Sequence, residues 1–528
     1  MPKFSIVIPT RNRAHTLYYT LKTCLNQYGF DDYEIVVSDN CCEDNTAEMV
    51  KELNSDKIKY FKTDCVLSMT DNYNFAMSKT KGEYVLYIGS DDAIFTHGLY
   101  FLDKIISITG EKMICWIQNL YHWPDFINSA LKNILFLQKK NTNIMINTKE
   151  CIRKIVKELI NFDTWPNIHA GAIVHKSLIN DLINKTGFVF DSIDSDAYFG
   201  FAISSMIDHY IIFGTPICLN AYSGKSTYCS IGLGSKPDSM HPIASEFVKL
   251  YEAENRIINS KFLPAGIISP SDLLLTEDFT YAKKNLNAFN DIDINFEKFI
   301  NVVINELYFF NMYCGNIGKD NFKKELDIIR DVIENTPEYK ANFSGKSLNI
   351  NDYEFYEPIY ACLPKIENDS IKIDAGLFGI ENVYDATLFA EKLLYSKEYI
   401  DAYLNQFEEN WNKSKSIFEW LNKYKKIGIF AIGKYTKTFL ALHKCLGAKD
   451  MEIILFDNDK TKWGTDFYDY KVLPPEKIPE QKLDILIISS QKFQDEIYES
   501  IKKYEQTVEI IKLYDKFGMD IECGFVFE

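Results

Sequence analysis

What this sequence lacks narrows its class before any motif is read. Basic residues are in deficit: 58 Lys and Arg stand against 74 Asp and Glu, a formal net charge of −16. A groove that neutralises nucleic-acid phosphates needs the opposite balance, which argues against a nucleic-acid partner. The same deficit argues against simple electrostatic docking on an anionic membrane, leaving that role to a local basic patch. Cysteine is scarce, 12 residues in 528, with no C-x-x-C pair. A disulfide scaffold and the common zinc spacings are therefore missing, and reduced thiols in a cytoplasm fit best. No apolar run approaches the ~18 residues of a membrane span, and the opening Phe4–Ile8 run is too short for a signal-peptide core. Tandem repeats and low-complexity tracts are missing too. The expectation is a cytoplasmic chain without a transmembrane segment, free to sit peripherally at the inner face of the cell membrane. A homo-oligomer is compatible with all of this.

What is present is ordinary globular material, 46% hydrophobic and 25% charged. At roughly 150 residues per domain, the length suggests three or four domains. Over residues 1–110, short apolar runs alternate with helical periodicity. Strands are predicted at Phe4–Pro9, Tyr33–Ser38, Ile58–Lys62 and Glu83–Ile88, and helices at Thr16–Gln27, Thr46–Leu53 and Asp71–Lys79. That alternation implies an α/β fold with a mostly parallel sheet covered on both faces. Ligands in such sheets bind beyond the carboxyl ends of the strands. Three polar clusters fall there: Pro9-Thr-Arg-Asn-Arg13, Ser38-Asp-Asn40 and Gly89-Ser-Asp-Asp92. Further strands are predicted at Met113–Gln118, Ala170–His175 and Tyr210–Leu219. Residues 236–425 read as mainly helical, and a second α/β unit occupies 426–528. The first unit is taken as 1–235.

Four pieces in order carry a resemblance. They are Ile6-Val-Ile-Pro-Thr-Arg-Asn-Arg-Ala14 with Leu17; Glu34-Ile-Val-Val-Ser-Asp-Asn40 with Glu43-Asp-Asn-Thr46; Asn74 followed by Lys81-Gly-Glu-Tyr-Val85; and Gly89-Ser-Asp-Asp92. Together they resemble the family 2 glycosyltransferases of the GT-A fold, across the first 110 residues and more loosely to about 230. The resemblance implies an inverting glycosyltransferase. Its donor would be a nucleoside-diphosphate sugar, uridine-based, and its acceptor a carbohydrate or lipid-linked glycan. A rival from another class is a non-catalytic nucleotide-sugar-binding or assembly protein of a glycan pathway.

The residues agree with that implication on physical grounds. An acidic site can hold a diphosphate only through a divalent cation, and Mn²⁺ or Mg²⁺ prefers carboxylate oxygens. The resemblance assigns the metal to Asp92, with Asp91 on the ribose or sugar side as well as near the metal. Ser90 stands where many relatives have a further Asp. A solvated acidic turn is the bland alternative. Asp39 is assigned to the base, with Pro9, Thr10, Asn40 and Asn74 lining the nucleotide. Arg11 replaces a Tyr and could stack on the base; Arg13 is either a donor contact or a surface residue. Cys41-Cys42 reads as packing. The proton acceptor is sought in Phe190-Asp-Ser-Ile-Asp-Ser-Asp-Ala197, with Asp196 first, Asp194 its rival, Asp191 third, and helix N-capping as the alternative role. His169 is a candidate acceptor-site contact, sharing a strand face with His175.

The C-terminal unit, Ile429-Phe-Ala-Ile-Gly-Lys-Tyr-Thr436 and Phe456-Asp-Asn-Asp459, resembles the Rossmann-like appended domains of some bacterial sugar-handling proteins. The dinucleotide fingerprint needs three glycines for the turn, the pyrophosphate and helix packing. Only Gly433 remains, so a structural or assembly module is expected in place of NAD binding.

Overall fold

A computed structural model describes residues 1–126, 131–140, 143–158, 166–226, 246, 249–251, 271–355, 365–367, 370–517 and 525–527, apart from positions 314, 336, 344, 346, 449, 469 and 491. The first unit is built on β1 (Phe4–Thr10), α1 (Ala14–Leu25), β2 (Tyr33–Asp39), α2 (Thr46–Glu52), β3 (Ile58–Lys62), α3 (Met69–Lys79) and β4 (Tyr84–Tyr87). It continues through β5 (Ala93–Ile94), α4 (Gly98–Thr109), β6 (Met113–Trp116), β7 (Asn119–His122), β8 (Ile134–Gln138), β9 (Asn143–Asn147) and α5 (Thr148–Glu158). The elements β10 (Ala172–His175), α6 (Lys176–Thr186), α7 (Ser195–Ser204), β11 (His209–Phe213) and β12 (Cys218–Tyr222) follow. β1, β2 and β4 are near-continuous apolar runs because helices cover both faces of the sheet they form. The run predicted over Tyr210–Leu219 is two strands, separated at Gly214-Thr-Pro216, where proline cannot continue a ladder.

The main sheet has nine strands. Its parallel half runs β3-β2-β1-β4, and β10 joins antiparallel between β4 and β6. The registry pairs Thr10 with Asp39, so the polar segments after β1 and β2 leave the sheet at one edge. β4 ends just before Gly89 and delivers the third polar cluster to that edge. A second sheet, β5-β12-β7-β8, stacks beside it and is extended by β14 (Ser370–Asp374) and β13 (Lys365–Glu367). This hairpin lies within the span read as mainly helical. It forms there because β8 presents an open edge whose backbone groups need partners.

The third sheet holds β15 (Lys426–Phe430), β16 (Glu452–Phe456), β17 (Asp466–Phe467), β18 (Tyr470–Leu473), β19 (Ile485–Ile488) and β20 (Glu509–Lys512). Its parallel strands stand in the order β18-β16-β15-β19-β20, which places a switch point between β15 and β19. The last strand, β21 (Phe525–Phe527), returns to pair with β9 on the edge of the nine-stranded sheet. Residues beyond 426 thus also supply a strand to the sheet of the first unit. The helix Lys397–Leu421 ties the units together: Phe407 meets Phe213 of β11 at 5.5 Å, and Phe418 meets Phe439 of the C-terminal unit at 5.1 Å.

Candidate active site

The site is assembled at the carboxyl edge of β1, β2 and β4. Asp39 ends β2 and is fully buried. One carboxylate oxygen accepts from the Cys42 backbone N–H at 2.6 Å, and the other accepts from the Tyr60 hydroxyl. Cys42 is therefore part of the turn that orients Asp39, with its sulfur accepting from the Asn12 N–H. Thr10, opposite Asp39 in the ladder, keeps its buried hydroxyl without a partner among the described residues. Pro9 lies in β1, half-buried beside it.

Two expected nucleotide contacts have other work. The Asn74 amide donates to the Phe190 carbonyl at 2.8 Å and accepts from the Val189 and Phe190 N–H groups at 3.0 and 3.1 Å. With a further bond to the Thr70 carbonyl at 3.2 Å, its side chain holds the segment that leads to Asp191. Asn40 likewise holds the 63–67 loop, donating to the Leu67 carbonyl and accepting from the Leu67 N–H, each at 2.8 Å. The Arg11 guanidinium is anchored through hydrogen bonds in its own plane. It donates to the Asn40 and Cys41 carbonyls and to Glu246. Arg13, by contrast, is part of the site, with its guanidinium 3.8 Å from Asp91 and donating to the Lys225 carbonyl.

Asp91 and Asp92 are both buried, which corrects the picture of a solvated turn. Asp91 accepts from the Ser223 hydroxyl at 2.7 Å and the Ser223 N–H at 3.2 Å, while its carbonyl accepts from the Trp123 indole. Burial pushes its carboxyl above the usual range, and the Arg13 charge opposes that. Asp92 accepts from the Gly89 N–H at 2.6 Å and the Ala221 N–H at 2.7 Å. Its second neighbour is His169, whose Nε2 is 3.1 Å from Asp92 Oδ2.

His169 was expected on the acceptor side and on one strand face with His175. The structure separates the two. His169 bridges to Tyr87 at the end of β4, whereas His175 pairs with Tyr84 at its start and sits 3.4 Å from Glu83. Because β10 runs antiparallel to β4, the six-residue spacing carries them to opposite edges. Burial alone would favour a neutral ring on His169, but the hydrogen bond and charge of Asp92, with Asp196 and Asp91 behind, push it up to about 9.

Gly89 explains how these groups share space. A Cβ there would lie 2.9 Å from Asp92 Oδ2, 3.0 Å from Asp91 Oδ1 and 3.3 Å from the His169 ring. Only a residue without a side chain leaves that cradle open. The Asp92 and Asp91 carboxylate oxygens that meet over Gly89 suit a hard divalent cation, so these two carboxylates fit the implied metal.

The acidic loop before α7 completes the site. Asp194 precedes α7 and Asp196 lies in its first turn. A hydrogen bond joins their carboxyls. Burial, the Asp196 charge and Asp278 push Asp194 well above the usual carboxyl range. Burial acts the same way on Asp196, but the Asp194 hydrogen bond, the His169 charge and Asn167 outweigh it and hold Asp196 below that range. The pair therefore divides into an acid, Asp194, and a carboxylate, Asp196. Asp191 lies apart, accepting from Asn285 at 2.9 Å.

This split has a measurable consequence. A folded-state shift upward means that Asp194 keeps a proton the unfolded chain has released, which reduces stability as pH rises above the ordinary carboxyl range. Asp194→Asn keeps the donor without that proton and should melt higher than wild type at pH 7.5. Each pKa unit removed is worth about 1.4 kcal/mol. The two melting curves should converge near pH 4. Equal melting temperatures at both pH values would show that Asp194 is ionised.

Sequence reading missed Asn167, Ser223, Trp123 and the Ala221 backbone. None sits in a motif, and each reaches the site from an element far along the chain. In the C-terminal unit, Asp457 is held by its own surroundings: it accepts from the Ile432 N–H at 2.8 Å and lies 3.0 Å from Lys462.

Comparison with known proteins places a family match on the first unit. Residues 5–145 match the family model for glycosyl transferase family 2, and residues 423–511 match the C2185-like, N-terminal model. The GalNAc(5)-diNAcBac-PP-undecaprenol beta-1,3-glucosyltransferase of Campylobacter jejuni is 35% identical over 102 residues, 19% of this chain and 33% of that protein. This chain thus spans only a third of that relative's length. The UDP-Glc:alpha-D-GlcNAc-diphosphoundecaprenol beta-1,3-glucosyltransferase WfaP of Escherichia coli is 23% identical over 246 residues, 40% of this chain and 96% of that protein. The crystal structure of S. aureus TarS 1-349 in complex with UDP-GlcNAc aligns over 65% of this chain and 92% of its own at 17% identity, with a TM-score of only 0.34.

Proposed function

We propose that this chain, which carries a family 2 glycosyltransferase domain in residues 5–145, transfers a sugar from a nucleoside diphosphate to a glycan or lipid-linked glycan acceptor. The observation that carries the proposal is the convergence of Asp196, His169, Asp92 and Asp91 at the carboxyl edge of the parallel strands. The relatives' names supply the acceptor class, since two of them act on undecaprenyl-diphosphate-linked sugars. Among the described residues no helix is long and apolar enough to cross a membrane.

In this reading Asp39 and the orphaned Thr10 hydroxyl receive the base, a uracil N–H donating to the carboxylate. Arg13 and Ser223 fix Asp91 toward the ribose and sugar. Asp92 and Asp91 would hold Mn²⁺ or Mg²⁺, whose chemistry is to neutralise charge on the leaving diphosphate, while the charged His169 ring stays paired with Asp92. Asp196 takes the proton of an acceptor hydroxyl. As that oxygen bonds to the anomeric carbon, the bond from the same carbon to the diphosphate oxygen breaks, so the configuration inverts. Asp194 keeps Asp196 ionised and aimed by donating its own proton in a hydrogen bond.

A thermal-shift panel of UDP, GDP and their sugars, each with Mn²⁺ or chelator, tests this. Ligand at 100 times Kd stabilises by about 2.7 kcal/mol, so a uridine nucleotide should raise the melt in Mn²⁺ and much less in chelator. No shift with any nucleotide would refute the donor assignment, and a shift with GDP alone would refute uridine.

A further inference from the structure

Among the described residues, one group of three possible metal ligands has its donor atoms within 4.8 Å of one another: Glu111, His209 and Cys445. It does not lie at the nucleotide edge. Glu111 follows the Gly110 cap of α4, two residues before β6, and His209 opens β11. β6 and β11 run parallel, with Ile114 opposite Ile211, so both residues stand at the amino ends of their strands. Cys445 comes from the helix Lys434–Leu446 of the C-terminal unit. Three separate elements from two units thus point one oxygen, one nitrogen and one sulfur at a common centre.

The spacing is that of a coordination tetrahedron. Glu111 Oε1 is 3.2 Å from His209 Nε2, and the Cys445 sulfur is 3.4 Å from each. A tetrahedral zinc ion with bonds of about 2.0 Å to oxygen, 2.05 Å to nitrogen and 2.3 Å to sulfur has ligand edges near 3.3 Å for N–O and 3.5 Å for the two sulfur edges. The observed edges agree to within about 0.2 Å, the tolerance for a plausible site. Charge points the same way. No lysine or arginine among the described residues pairs with Glu111, whose one ion-pair partner is His209. Both side chains are largely covered, 15% and 17% exposed. A carboxylate in that setting lacks a permanent cation.

We propose that Glu111, His209 and Cys445 bind a zinc-type transition-metal ion that fastens the C-terminal α/β unit to the sheet carrying the active site. Thiolate and imidazole select zinc over the hard Mg²⁺ or Mn²⁺ suited to the other edge. On binding, the thiol releases its proton to solvent and the sulfur becomes a thiolate ligand, and water takes the fourth position. The site is independent of the transferase reading.

The test uses the full chain, stripped of metal and then titrated with Zn²⁺ against a chromophoric chelator. One zinc per chain is expected. Cobalt in its place should give a thiolate-to-metal charge-transfer band. Changing a residue behind a metal ligand weakens binding about 10–100-fold, so losing a ligand outright in Cys445→Ser or His209→Gln should weaken zinc by at least about 100-fold. Asp92→Asn should leave this zinc in place. Melting in chelator shows whether the variants fold as wild type does. A measurement on the unaltered chain stands beside them: zinc should protect Cys445 from alkylation, read by peptide mass spectrometry. The proposal fails if the chain takes up no stoichiometric zinc, if cobalt gives no charge-transfer band, if either variant binds zinc as tightly as wild type, or if Cys445 alkylates equally with and without zinc.

Discussion

Asp196→Asn is expected to cut kcat by about two to four orders of magnitude while leaving donor affinity near wild type, the range attributed to a positioned general base. The substitution keeps the side chain's size and its hydrogen bond to Asp194 but removes the basic oxygen. Asp194→Asn should do much less, because an amide can still donate to Asp196. The contrast follows from the unequal pair, in which Asp194 holds the proton and Asp196 the charge. Single-turnover transfer with pre-bound donor measures the chemical step directly, and nucleotide binding by calorimetry checks that the site is intact. An active Asp196→Asn beside a dead Asp194→Asn would reverse the two roles. Two active variants would place the base outside this loop.

Asp92→Asn should abolish the metal-dependent part of donor binding, with uridine nucleotide affinity falling to the level wild type shows in chelator. It should also soften the fold, unlike a substitution on a solvated turn. Asp92 is buried and accepts from the Gly89 and Ala221 backbone N–H groups. An amide side chain can satisfy one of them but turns a donor toward the other, and an unsatisfied buried donor costs about 1–3 kcal/mol. The His169 ring also loses its carboxylate partner. Calorimetric titration of UDP in Mn²⁺ and in chelator, with a parallel melt, separates the two effects. A variant that melts lower yet binds nucleotide with the wild-type metal dependence would leave Asp92 a purely structural role.

The parallel half of the first unit was legible in the sequence because strand and helix alternation is a local property. Continuous apolar runs such as Phe4–Ile8 are what a sheet buried on both faces requires, and β1, β2, β3 and β4 form where the periodicity predicts them. The positions of Asp39, Asp91 and Asp92 at one edge followed from strand direction alone.

What the sequence could not contain is which distant groups occupy those side chains. Asn74 and Asn40 look like ligand contacts in a motif, yet their amides hold the 189–190 and 63–67 segments. His169 changed neighbours because β10 runs antiparallel to β4, a fact of sheet order and not of spacing. The hairpin at 365–374 and the strand at 525–527 form on open sheet edges, where partner strands supply the pairing that local pattern does not demand. The division of Asp194 and Asp196 into acid and base is likewise a tertiary decision. Two identical residues two positions apart differ because Asp278, Asn167 and the His169 charge fall unequally on them. Sequence determined the elements and the edge of the sheet where chemistry collects; the surrounding fold decided each group's charge, partner and remaining freedom to act.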